Sequence, residues 1–199
     1  MSEIKQSLAD SVAPMLVVFS HGKESGPWGS KIKALAAVAE AAGAQVLSIN
    51  YREREGGQQF DQDAPGEPER RVAQLRATPL PPYSQLVLVG SSMGGYVSTV
   101  ASAALKPDGL FLLAPALYLP GYAEQELAPH ALQTLLVHGW GDAVVPVAHS
   151  VAFACKHRVA LHLLDGDHRL NDALPEIEPL FAQFLARVMP TRTAAQSAA

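Results

Sequence analysis

The chain predicts an α/β fold: a mostly parallel sheet carrying helices on both faces. Short, nearly continuous apolar runs of strand length alternate with amphipathic segments, and a glycine-rich turn joins one such run directly to a helical pattern. At 199 residues and 48% hydrophobic content, one domain spanning 1–199 can bury a full core. No internal repeat or linker divides it.

The first apolar run, Met15, Leu16, Val17, Val18 and Phe19, ends at Ser20-His21-Gly22 and reads as a strand buried on both faces. Ile32, Leu35, Ala36 and Ala39 recur at helical spacing, and Gly43 stands where a left-handed helix terminus is expected. A strand at 45–49 follows, then a polar stretch over 51–71 that reads mostly as a surface loop. The pattern resumes with strand 85–89, helix 93–105, strand 109–113, an excursion through Tyr118, Pro120 and Tyr122, and strand 133–137. Pro146 opens a helix over 147–156, because its missing amide hydrogen would be unpaired there anyway, and strand 160–164 comes next. Ile177, Leu180, Phe181, Phe184, Leu185 and Val188 trace the stripe of a last helix. Pro190 ends it before a 191–199 tail whose composition predicts disorder.

A net charge of −4 without a long basic run offers no source of counterion release, so nucleic acid is not an expected partner. The single cysteine, Cys155, cannot form an internal disulfide and, lying in a helical stretch, is expected to be a reduced, packed thiol. Met1 to Gln6 lacks the apolar region of a signal peptide, and no apolar run approaches the roughly 20 residues that cross a bilayer. A cytoplasmic protein is expected, without a membrane partner; oligomeric state is not legible.

Gly90-Ser91-Ser92-Met93-Gly94 lies between an apolar strand and a helix, the setting in which G-x-S-x-G forms a nucleophile elbow. Only Ser92 fits the frame. Side chains two residues to either side would collide with neighbouring backbone, and the sharp turn lifts the hydroxyl above the sheet. The turn also puts the Met93 amide at a helix N-terminus, where it can stabilise an oxyanion. A phosphate-binding loop or an ordinary tight turn is the competing reading, and the strand-to-helix placement favours the elbow. A serine nucleophile needs a base and a carboxylate to orient it. Strand 133–137 runs into His138-Gly139-Trp140-Gly141-Asp142, and strand 160–164 into Asp165-Gly166-Asp167-His168. His168 is the candidate base and Asp142 the candidate acid. Asp165 and Asp167 are rivals to Asp142, but their nearness to His168 suits them better to shaping its turn.

The chain resembles the α/β-hydrolases from Ser20-His21-Gly22 to the last helix, and Ser92, Asp142, His168 is the chain order of that family. Gly-Ser-Ser-Met-Gly-Gly-Tyr at 90–96 and Gly-Asp-His at 166–168 are especially similar to small bacterial esterases of the YqiA-like kind. The resemblance implies an α/β-hydrolase fold trimmed at the N-terminus. It also implies an oxyanion hole from the backbone amides of Met93 and of the residue after His21-Gly22, here Lys23. Many relatives carry an aromatic or small residue there; a lysine keeps the amide and adds a mobile cation near the pocket. The segment 114–133 is a minimal cap, so the implied substrate is a small soluble ester or thioester, and no cofactor or metal is required.

Other candidates carry two readings each. His21 and His138 end strands before glycine and can face the site, although hydrogen-bonded structural roles fit them better. Tyr118 and Tyr122, with Leu119 and Pro120, form either a miniature lid that contacts substrate or an aromatic loop packed on the sheet edge. Arg52, Glu53 and Arg54 are substrate contacts or a solvated loop. Asp165, Asp167 and His168 as metal ligands lack further converging donors. The same serine chemistry supports perhydrolysis and thioester cleavage, and a non-catalytic binding or scaffold module on this fold is the alternative class.

Overall fold

Leu16, Val17, Val18 and Phe19 are all fully buried because β1 (Leu16–Ser20) is an interior strand of a sheet covered on both sides. The structure is a computed structural model that describes residues 13–53 and 60–189. The remaining elements are α1 (Ser30–Ala41), β2 (Gln45–Ile49), α2 (Glu67–Ala77), β3 (Leu86–Ser91), α3 (Met93–Leu105) and β4 (Gly109–Leu113). β5 (Gln133–Gly139), α4 (Val147–His157), β6 (Ala160–Leu164) and α5 (Leu174–Val188) complete the order. The strands lie in the order β2-β1-β3-β4-β5-β6 and every pairing is parallel. The direction of strand addition reverses between β1 and β3, and in an open α/β sheet the carboxyl ends at such a reversal form a crevice.

Strand alternation sorts the core into two layers. Val17, Phe19, Val87, Val89, Phe111 and Val137 face α1 and α5, where they meet Leu35, Ile177 and Phe181. Leu16, Val18, Leu88, Leu110, Leu112 and Leu136 face α2, α3 and α4, where they meet Leu75, Val97 and Phe153. The edge strands β2 and β6 are only partly buried. Gly43 has φ +81° just past α1, the left-handed conformation its position called for. No helix among the described residues is long and apolar enough to cross a membrane.

Several sequence expectations need correction. The stretch read as a loop to residue 71 contains the start of α2, whose Glu67, Pro68 and Arg71 are buried. Besides Pro68 at its first turn, its buried face has only Val72 and Leu75 as apolar side chains, completed by a buried ion pair, so apolar periodicity could not reveal it. Cys155 is exposed rather than packed, because α4 buries Ser150, Phe153 and Ala154 and turns the next position outward. β3 and β5 run to Ser91 and Gly139, past the ends read at 89 and 137. Pro190, the 191–199 tail, the N-terminal hexapeptide and Arg54 lie outside the described residues.

Candidate active site

β3 hands over to α3 in a single residue. Ser92 sits between them at φ 54° and ψ −121°, a backbone conformation that costs a non-glycine residue about 1–3 kcal/mol. The surroundings hold it there: its amide donates to the Leu113 carbonyl at 3.0 Å, and its own carbonyl accepts the amides of Gly95 at 2.8 Å and Ala116 at 2.9 Å. The flanking glycines are required by space. A Cβ on Gly90 would meet the Gly95 Cα at 2.7 Å, and one on Gly94 would meet the Ser20 carbonyl oxygen and, at 2.8 Å, that of His21.

The strand ends on the other side of the crevice deliver two more groups. His168 Nε2 lies 2.9 Å from Ser92 Oγ, and its Nδ1 lies 2.7 Å from Asp142 Oδ2. Gly139 lets the β5 end approach the loop that carries His168: a Cβ there would sit 2.8 Å from the Asp167 carbonyl oxygen. The Asp142 side chain is completely buried, and burial alone would raise its pKa. The hydrogen bond from His168 and the amides of Val145 and Val144 outweigh it and hold the carboxyl below its ordinary value. With Asp142 ionised, Nδ1 of His168 carries the proton and Nε2 is left to accept from the serine hydroxyl. Asp167 instead accepts the amides of Arg169 at 2.9 Å and Leu170 at 3.0 Å, shaping the turn, and Asp165 is exposed. Among the described residues no three His, Cys, Asp or Glu side chains converge to hold a metal ion.

His138 proves to be part of this arrangement. Its Nε2 lies 2.9 Å from the same Asp142 oxygen and 3.2 Å from the Val145 carbonyl, both acceptors, so Nε2 bears the proton. Nδ1 then accepts from Ser150 Oγ at 2.7 Å. Burial pushes the His138 pKa below its ordinary value despite the pull of Asp142, which keeps the ring neutral. Asp142 thus receives four hydrogen bonds, two on each oxygen. The four-residue spacing from His138 to Asp142 across a strand end is the signal that could have linked them.

The β1–α1 loop closes the opposite side. His21 is fully buried; burial lowers its pKa to about 4, its Nδ1 donates to the Gly22 carbonyl at 2.7 Å, and its Nε2 accepts the Tyr51 amide at 3.3 Å. It is therefore part of the loop and not a substrate contact. Arg71, missed in the sequence, is also fully buried. It donates from Nη1 to the carbonyls of His21 at 3.3 Å and Gly22 at 3.1 Å, while its Nε bonds Glu67 Oε1 at 2.7 Å. This clamp fixes the turn that leads into Lys23. Gly22 packs against the elbow so closely that a Cβ there would lie 3.3 Å from the Ser92 Cβ.

A cavity of about 770 Å³ opens over Ser92 and His168, and Lys23, Met93 and Tyr122 help to line it. Leu119 and Pro120 line it too, whereas Tyr118 does not: its ring packs against His149 and Phe153 on α4, with centroids 6.0 and 6.4 Å away. The excursion after β4 thus divides, one part walling the cavity and the other packing on the sheet layer. Exposed Arg52 and Glu53 are occupied by Glu24 and Asn50 and do not line the cavity.

No family model and no curated protein matches the chain. Solved structures do. A protein of the α/β hydrolase superfamily from Xanthomonas campestris pv. campestris is 30% identical, with 87% of this chain and 99% of that one covered at a TM-score of 0.71. An α/β serine hydrolase without a lid, from Xanthomonas campestris, is 23% identical over 94% of this chain and 87% of that one, with a TM-score of 0.69. Est1E from Butyrivibrio proteoclasticus shares the fold at 17% identity and a TM-score of 0.69, covering 92% of this chain and 90% of that one.

Proposed function

Because the chain belongs to the α/β-hydrolase superfamily, we propose that it is a cytoplasmic serine hydrolase that cleaves a small soluble ester or thioester through an acyl-enzyme on Ser92. The observation that carries this reading is the unbroken line from Ser92 Oγ through the His168 ring to the buried Asp142, with Ser92 and His168 lining an open cavity. The resemblance of residues 90–96 and 166–168 to YqiA-like esterases supports a small substrate, as does a cap limited to one irregular segment.

In the acylation step Ser92 Oγ attacks the carbonyl carbon and its proton passes to His168 Nε2. Asp142 stabilises the imidazolium that forms and fixes the ring in the tautomer that can accept. The negative charge on the carbonyl oxygen is met by the amides of Met93 and Lys23. The Met93 amide opens α3 and so has no acceptor within the helix. Collapse breaks the bond to the alcohol or thiol, which leaves with the proton from His168. Water then repeats the sequence with His168 as base and releases the acid.

The test is p-nitrophenol release from p-nitrophenyl butyrate by the wild type and by Ser92→Ala. Burst-phase release followed by steady turnover, lost in Ser92→Ala, is expected. Equal rates for both proteins, or none for either across short acyl lengths, would instead favour a fold retained for binding.

A further inference from the structure

The cavity over Ser92 has two unlike walls. Met93, Ala116, Leu119, Pro120, Tyr122 and Val144 make one side apolar, while the start of α1 and the loop after β6 bring Lys31 and Arg169 to the other. The start of α1 is tied to that loop by Ser30 Oγ donating to Asn171 Oδ1 at 2.8 Å, which fixes the backbone beside Lys31.

The charges around the polar wall are not equivalent. Lys23 is engaged in an ion pair with Asp63, and Glu24 and Arg169 are at the exposed mouth. Asp167 spends one oxygen on two amides of its own turn, and Asp142 already accepts four hydrogen bonds. Lys31 is different. It is partly buried, lines the cavity within electrostatic reach of Asp142 and Asp167, and makes no hydrogen bond or ion pair with any described residue. Burial lowers its pKa to about 8, against the upward pull of Asp167 and Asp142. A partly desolvated ammonium without a bonded partner is unfavourable, and a carboxylate placed against it would gain a charge-assisted hydrogen bond.

We propose that Lys31 is the anion-binding residue of this cavity, and that the preferred substrates are amphiphilic esters or thioesters. Their apolar part lies along Leu119, Pro120 and Tyr122, and a carboxylate on the acyl chain reaches Lys31. This rests on the reading of Ser92 as the nucleophile. The cavity volume of about 770 Å³ lies within the range typical of small-ligand sites, so both parts can be held at once.

The experiment compares p-nitrophenyl hexanoate with mono-p-nitrophenyl adipate, which are matched in chain length and differ in the terminal carboxylate. The quantity read is the ratio of KM for the adipate to KM for the hexanoate. It should be below one in the wild type, rise about tenfold in Lys31→Met, and remain near the wild-type value in Lys31→Arg. It should also rise with pH as the wild type passes about pH 8 and Lys31 loses its proton, and stay level in Lys31→Arg, whose guanidinium keeps its charge. Titrating groups that serve both esters alike cancel in the ratio. A ratio unchanged by Lys31→Met, or level through pH 8 in the wild type, overturns the proposal. Calorimetry of monomethyl adipate with Ser92→Ala and with Ser92→Ala/Lys31→Met separates the two readings. Lys31-dependent binding alongside an inert wild type would sink the hydrolase assignment and keep the anion site, and turnover without Lys31 dependence would do the reverse.

Discussion

Arg71 offers a way to separate activity from stability. Its Nη1 holds the carbonyls of His21 and Gly22, the two residues before the proposed oxyanion donor Lys23, and its Nε pairs with Glu67 in a site from which water is excluded. Arg71→Met removes these bonds, while Arg70 still reaches Glu67 at 2.8 and 2.9 Å. Breaking a buried ion pair from one side costs about 3–5 kcal/mol, and the retained Arg70 pair puts the expectation at about 3 kcal/mol. For a chain of this size that is a fall in Tm of about 6–12 °C. Complete loss of one oxyanion donor costs about 10²–10³ in kcat, so a loosened donor should cost about 10- to 100-fold. The double variant Glu67→Leu/Arg71→Met replaces the pair by apolar groups, which is often neutral for stability. Differential scanning calorimetry should therefore show most of the Tm recovered, while kcat on p-nitrophenyl butyrate, measured well below Tm, stays low. If kcat returns together with Tm, or never falls in Arg71→Met, the clamp does not act on the proposed oxyanion donor.

Two further outcomes follow from the same geometry. Asp142→Asn should lower kcat by about 10⁴, because an amide in that position favours the wrong His168 tautomer, whereas Asp167→Asn should change it by less than about tenfold; a crippling Asp167→Asn with a near-silent Asp142→Asn would exchange their roles. His21, with its pKa lowered to about 4, binds fewer protons folded than unfolded, so stability is present above about pH 6.5 and is lost as pH falls toward 4. Tm should drop over that window and His21→Asn should flatten the drop, which calorimetry at stepped pH measures; an unchanged slope would show that His21 is protonated in the fold.

The parts of the molecule that were legible in sequence are those where one chemical requirement is written in neighbouring residues. Gly90, Ser92 and Gly94 announce a turn that tolerates no side chain at either flank, and the close approaches of Gly90 to Gly95 and of Gly94 to Ser20 and His21 are the reason. Asp142 and His168 were legible one step less directly, because parallel strands deliver their following loops to one edge and both residues follow such strands. What stayed hidden is polar burial. Glu67 and Arg71 read as part of a polar surface loop, and only the fold reveals that they are buried, paired with each other and, for Arg71, bonded to the carbonyls before Lys23. For His138 a hydrogen-bonded structural role was legible at the strand end, but its partner, the Asp142 oxygen that also meets His168, needed the fold.

These two hidden elements have a common logic. Ser92 is held in a strained conformation by backbone bonds alone, but the groups it must work with come from loops separated from it by a strand or more, and a loop has no such internal restraint. On the β1 side a buried guanidinium ties two loop carbonyls to α2; on the β5 side a buried imidazole ties the Asp142 carboxylate to Ser150 on α4. Each bond set is directional and sits where water cannot compete, so it restrains angle as well as distance. Apolar packing at the same places would bury comparable area without fixing the direction of an amide or a carboxylate oxygen. The polar side chains buried beside this site are therefore those whose geometry the proposed chemistry needs, and the strand interiors, which need only shape, are filled with Leu, Val and Phe.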